Sequence, residues 1–165
     1  MLALAIDLLD IYITDPVLEI FDRFGVASPG KGESGGILLG QIDTHEQRIM
    51  ICRASVPGPL DQATSVSFVR GKASAQQIIE YEFHNSNGTN TYLGEWHSHP
   101  AAKAQPSTQD LRMIRDQRLS STIHVRFLLL IVVAKREICV AIDDGERVSS
   151  TVVRKDTYAP ILDRL

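Results

Sequence analysis

Residues 94–100 read GEWHSHP, and two of the chain's five histidines, His97 and His99, stand two positions apart within them. Side chains alternate along an extended strand, so both imidazoles project to one face, with Trp96 and Ser98 on the other. Two imidazoles so placed can hold a divalent metal, and Pro100 then turns the chain out of the sheet. Asp110 follows eleven residues after His99, in the first turn of an expected helix. A strand end and a helix start, joined by the loop 101–106 (AAKAQP), would then face one site. Two His, one Asp and a fourth position open to water make a catalytic zinc arrangement. A plainer reading of part of it stands alongside, because Ser107-x-x-Asp110 ahead of an apolar helix is also a capping-box variant. Hydrolysis at such a centre needs a proton carrier. Glu95 shares the strand face of the two histidines, whereas Glu33 lies far upstream, just before an apolar strand. Spacing alone leaves both open.

The elements that must position these residues are legible from periodicity and punctuation. The first residues alternate between apolar and acidic types and predict one or two strands to about Ile13. Asp15-Pro16 reads as an N-cap with proline at N1, opening a helix with Val17, Ile20, Phe21 and Phe24 on its apolar face and Gly25 at its end. A loop over Ala27–Glu33 leads to strands Gly36–Ile42 and Arg48–Ala54. Ser55–Ala63 is irregular, and Ser65–Arg70 alternates as a short strand. Ser74 is placed to cap a helix over Ala75–Asn85 with Ala75, Ile78, Ile79 and Phe83 inward. Thr91–Trp96 predicts a strand ending at the histidines. Ser107 caps a helix over Thr108–Leu119 with Leu111 and Ile114 inward and Arg112, Arg115 and Arg118 solvated. The run FLLLIVVA at 127–134, Glu137–Ile142, an Asp144-Gly145 turn and Arg147–Val153 supply three closing strands. Such an order predicts an α/β architecture, a mixed sheet covered by helices.

At 165 residues, the chain is expected to form a single domain, 1–165, with a core that needs no staples. It is 44% hydrophobic and 22% charged, with a net charge of −3 and a pI near 5.9. No nucleic-acid partner is expected from so mild a balance without a basic stripe. The longest apolar run, eight residues, is too short to cross a bilayer, so no membrane partner is expected. The opening MLALAIDLLD carries Asp7 and Asp10, no early Lys or Arg and no convincing cleavage site, so it is not expected to be a signal peptide. Cys52 and Cys139 sit in separate expected strands, a pattern of reduced thiols in a cytoplasmic protein.

ESGGILLG (33–40), LGEWHSHP (93–100) and PSTQD (106–110) together resemble the JAMM, or MPN-plus, metallopeptidases. Their hallmark is an upstream Glu, then His-x-His-Pro, seven residues to a Ser, and an Asp three further on. Every hallmark position is filled here. The resemblance implies a three-layer, cytidine-deaminase-like fold and one Zn²⁺ on His97, His99 and Asp110, with a water as fourth ligand. It also implies Glu33 as general acid/base, in preference to Glu95, and Ser107 as an oxyanion donor. The segments SVPGPLDQATSVSFVRG and NGTNTYLGEWHSHP are similar to the compact deconjugating peptidases of bacterial antiphage operons that carry cGAS-like nucleotidyltransferases. That likeness implies a zinc isopeptidase acting on a conjugated C-terminal tail, of the nucleotidyltransferase or of a ubiquitin-like protein, made by an E1/E2-like ligase encoded nearby. An inactive scaffold of the same fold, a RadC-like protein and a two-His-one-carboxylate iron oxygenase are the rival readings. The retained ligands, the acidic pI and the strand–loop–helix arrangement respectively weigh against them.

Overall fold

The computed structural model describes residues 1–25, 32–59, 61–63, 68–69, 71–120 and 126–158. Its centre is an eight-stranded mixed sheet of order β1-β2-β4-β3-β7-β8-β9-β10. The strands are β1 (Leu2–Ile6), β2 (Leu9–Ile13), β3 (Gly35–Asp43), β4 (Arg48–Ala54), β7 (Thr91–Ser98), β8 (Leu128–Val133), β9 (Glu137–Asp143) and β10 (Val148–Arg154). β2 pairs with β4, and β7 with β8, in parallel; the other neighbours are antiparallel. Two residues each of β5 (Gln62–Ala63) and β6 (Phe68–Val69) form a separate antiparallel pair. The expected strand 65–70 is therefore described only at its 68–69 pair, and the rest of it lies outside the described residues. Arg147 reaches Asp7 at 2.9 Å, tying the β9–β10 turn to the β1–β2 turn at the far edge.

The helices are α1 (Asp15–Phe24), α2 (Lys72–Asn85) and α3 (Thr108–Ser120). α1 lies on one face of the sheet, where Val17, Leu18 and Phe21 join Ile11, Ile13, Leu38, Ile49, Ile51, Leu93, Trp96, Leu129 and Ile131 in one apolar cluster. On the other face α2 and α3 cover Ile37, Leu39, Tyr92, Leu128, Leu130 and Val132. β8 is buried at all six positions, as expected of a strand covered on both faces. This is the α/β architecture expected from the order of elements.

Four local expectations are corrected. The N-cap of α1 is Thr14, one residue before Asp15, because Thr14 still has the extended backbone of β2 while its carbonyl accepts the first helical bonds. α2 starts three residues earlier than expected, with Gly71 rather than Ser74 as N-cap. Phe83 and Ile78 are exposed on it, whereas Glu82 turns inward, where it pairs with Arg53 of β4 at 3.1 Å. Phe83 lies over Gly88 at the helix end instead. Arg115 and Arg118 are not simply solvated: both reach the fully buried Asp143 carboxylate at the end of β9, at 3.3 and 3.6 Å.

Candidate metal centre

β7 carries the histidines, and its phase is set by a β-bulge. Leu39 pairs with Tyr92 but Leu38 with Gly94, so Leu93 is an extra residue in β7. Gly94 has φ +145°, and a Cβ there would stand 1.9 Å from the Leu129 carbonyl oxygen, so only glycine fits. Past the bulge the alternation is shifted by one. Tyr92, Glu95 and His97 consequently share the face of α2 and α3, while Leu93 and Trp96 share that of α1. The Tyr92 hydroxyl hydrogen bonds Glu95 Oε1 at 3.1 Å, three residues away rather than two or four.

The strand runs two residues further than expected, to Ser98, and places His97 and His99 together. Their Nε2 atoms are 3.2 Å apart. Asp110, in the first turn of α3, puts Oδ1 at 3.3 Å from His97 Nε2 and Oδ2 at 3.2 Å from His99 Nε2. Among the described residues these three form the group able to hold a metal ion. Donors about 2.0–2.1 Å from a tetrahedral zinc stand about 3.3 Å from one another. The observed spacings fit that requirement, as does the mix of two imidazoles with a carboxylate.

Asp110 has two duties. Its carboxylate accepts the Ser107 N–H at 2.6 Å, while Ser107 Oγ accepts the Asp110 N–H at 3.1 Å. That is a reciprocal capping box, so the plainer reading of this motif holds alongside the metal reading. Ser107 is exposed, and its hydroxyl proton is not committed to the cap. The Asp143 pairs with Arg115 and Arg118 hold α3 against the sheet further along, and the Gly145 N–H adds a third contact to Asp143 at 2.8 Å.

Glu33 reaches the same place from the other side. The Ser98 N–H donates to the Ser34 carbonyl at 2.7 Å, and the Ser34 N–H donates to Ser98 Oγ at 2.8 Å. Ser98, which faces away from the metal group, therefore clamps the residue next to Glu33 onto the end of β7. Glu33 is buried and within electrostatic reach of His97, His99 and Asp110. Burial pushes its carboxyl up, the two imidazoles work against that, and the Asp110 charge adds to it. Burial also disfavours ionised Asp110, but the hydrogen bonds with His97 and His99 and from Ser107 hold its carboxyl well below the usual range. The hydrogen bond to Asp110 pushes the His99 imidazole up against the cost of burial.

All five residues singled out in the sequence thus lie in or beside one centre, and Glu95 lies one strand pair back, bonded to Tyr92. Sequence reasoning missed the Ser34–Ser98 clamp and the Asp143 anchor, whose partners are 64 and about 25–30 positions apart. The bulge did leave a signal, a lone glycine inside a strand pattern. β7 is bonded on both sides, and the sheet's free edges are β1 and β10. An extended tail therefore cannot add to β7 as a strand.

Residues 29–143 match the model of a family described as prokaryotic homologs of the JAB domain. The chain is 31% identical over 105 residues to a CD-NTase/cGAS isopeptidase of Vibrio cholerae serotype O1, covering 64% of each protein. It is 33% identical over 100 residues to a protein of the same name from Pseudomonas aeruginosa, covering 61% of this chain and 62% of the relative. A third, from Escherichia coli, is 38% identical over 80 residues, 48% of this chain and 50% of the relative. The likeness thus spans less than two thirds of the length of these relatives.

Proposed function

Because the chain belongs to the family of prokaryotic homologs of the JAB domain, we propose that it is a zinc-dependent isopeptidase or peptidase. Its substrate is a protein joined to another molecule through its C-terminal residue, either a cGAS-like nucleotidyltransferase or a ubiquitin-like protein. In this reading it reverses or processes conjugates made by an E1/E2-like ligase during antiphage defence in the cytoplasm. The observation that carries the proposal is the convergence of His97, His99 and Asp110 at 3.2–3.3 Å with the buried Glu33 beside them. The printed names of the relatives support the substrate class.

His97, His99 and Asp110 would hold one zinc ion, which when bound acidifies a water and polarises the scissile carbonyl. Glu33 accepts a proton from the attacking water and returns it to the leaving nitrogen. Its burial beside His97, His99 and Asp110 places it within reach of both transfers. The Ser107 hydroxyl, accepting from the Asp110 N–H, has its own proton to donate to the oxyanion. The reciprocal cap fixes the Asp110 carboxylate relative to both imidazoles.

The test is cleavage of fusions and conjugates that differ in their C-terminal tails, with and without a chelator. Wild type cleaves at least one tail, chelation stops it, and zinc restores it. Glu33→Ala keeps its zinc and loses turnover. A protein that binds zinc yet cleaves no tail is instead a scaffold of this fold, and a Glu33→Ala variant that still cleaves moves the proton-carrying role to another group.

A further inference from the structure

A groove of about 640 Å³ lies beside the loop that follows the histidines, and its charge is opposite to that of the chain. Lys103, Lys135, Arg136, Arg154 and Lys155 line it with only Glu137 and Asp156 as acids, in a protein of net charge −3. Two of the cations are internally matched: Arg154 pairs with Asp156 at 2.5 Å and Lys155 with Asp22 at 3.2 Å. Glu137 accepts the Ala104 N–H at 3.2 Å, which pins the loop against the β8–β9 turn. Lys103, Lys135 and Arg136 are exposed and have no ion-pair partner among the described residues. Three unmatched cations on one concave surface repel one another unless an anion joins them.

The groove lies close to the metal group. Lys103 is four residues after His99 on the same loop. The His99 N–H donates to the Val133 carbonyl at 2.8 Å, and Lys135 comes two residues later, a reach of at most about 7 Å. Because β7 is bonded on both sides, a substrate chain leaving the metal group has to continue over a loop, and this groove is a cationic surface next to it among the described residues. We propose that Lys103, Lys135 and Arg136 form a docking surface for an acidic segment of the protein substrate, a few residues from the scissile amide. The proposal deepens the isopeptidase reading and rests on it for the identity of that protein. A polyphosphate backbone is the poorer fit, since three unmatched cations on one short groove do not make the continuous basic stripe that a run of phosphates follows.

The experiment has a binding arm and a cleavage arm, using the full chain. In the first, a dye-labelled Asp/Glu-rich peptide, a Gln/Asn-rich peptide of the same length and a single-stranded oligonucleotide are titrated with wild type and with the triple variant Lys103→Glu, Lys135→Glu, Arg136→Glu. The acidic peptide binds wild type, weakens with added salt, and binds the variant at least about tenfold more weakly. In the second, conjugates with acidic or neutral residues near the scissile amide are compared. Wild type favours the acidic one through KM, and the variant loses that preference while keeping its zinc and its kcat on the neutral one. Equal peptide binding by variant and wild type overturns the proposal even if all conjugates are cleaved. So does an oligonucleotide that outcompetes the acidic peptide. Peptide binding that depends on the three cations, in a protein that cleaves nothing, supports the docking surface and counts against the isopeptidase reading alone.

Discussion

The two faces of the central sheet are made from the same strands and built to different rules. On the α1 face the cluster is aliphatic and aromatic with few polar atoms, among them the buried Ser98 hydroxyl that accepts the Ser34 N–H. Phe21 and Trp96 meet there with ring centroids 5.4 Å apart, and the one indole N–H is satisfied by the Ser55 carbonyl at 3.0 Å. On the α2 and α3 face the helices bring few apolar side chains to full burial, Ala75 from α2 and Ile114 from α3. Buried Glu95, His97 and Asp143 occupy that side, and Glu33 closes on its end. Burying such groups is tolerable only because each has a partner within reach. The difference teaches a division of labour: both faces bury apolar side chains, but among the described residues only the α2 and α3 face sets ionisable groups between them at fixed separations.

Adjacent residues of β7 test the division most sharply. His97→Ala is expected to abolish metal binding and lower turnover by roughly 10⁴-fold, the scale of losing one member of a set that acts as a unit. It should cost no more than about 1–2 kcal/mol of stability in metal-free protein. Trp96→Ala should do the reverse, losing about 3–5 kcal/mol of stability while the fraction that stays folded binds zinc normally. Denaturant titration and zinc analysis of both variants decide it, and similar losses from the two would break the comparison.

Ser107→Ala sharpens the boundary between structure and chemistry. The cap alone is worth about 1 kcal/mol, whereas an oxyanion donor is worth about 10²–10³ in kcat. A variant that is slightly less stable and 10²-fold slower has lost both roles; unchanged kcat leaves only the cap. The smallest expected effect concerns pH. In metal-free protein, raised His99 stabilises below its unfolded value and the benefit fades as pH rises through its folded value. Depressed Asp110 stabilises above its unfolded value and the benefit fades as pH falls. Both contributions coexist between the ordinary aspartate and histidine values, about pH 4 to 6.5. Zinc needs the imidazoles unprotonated, so the rise in Tm on adding zinc should grow from pH 5.5 to 7.5. A rise that shrinks over that interval would contradict the assignment of these groups as ligands.

Much of this is legible in the amino-acid sequence, for particular reasons. The strand alternation of His97 and His99 and the first-turn position of Asp110 are local properties, so periodicity sufficed to bring them towards one point. β8 announced itself by an unbroken apolar run. Residue patterns could not place Glu33 beside His97 and His99, because that placement depends on the Ser34–Ser98 clamp, a contact across 64 positions. Helix periodicity also misjudged α2, whose inward position goes to Glu82 because Arg53 on a neighbouring strand is there to meet it. Arg115 and Arg118 looked like solvated charges for the same reason: Asp143 is invisible from within α3.

The bulge at Leu93–Gly94 is a frameshift written in three dimensions. Upstream of it β7 is read in one phase and downstream in the other, so a single residue decides which side chains are delivered to which side. Loss of that residue would leave the composition of the strand almost untouched and exchange the places of Trp96 and His97, sending the imidazole into hydrocarbon and the indole to the metal group. The capacity of this strand for chemistry is in that sense a matter of counting, and Gly94 is where the count is kept.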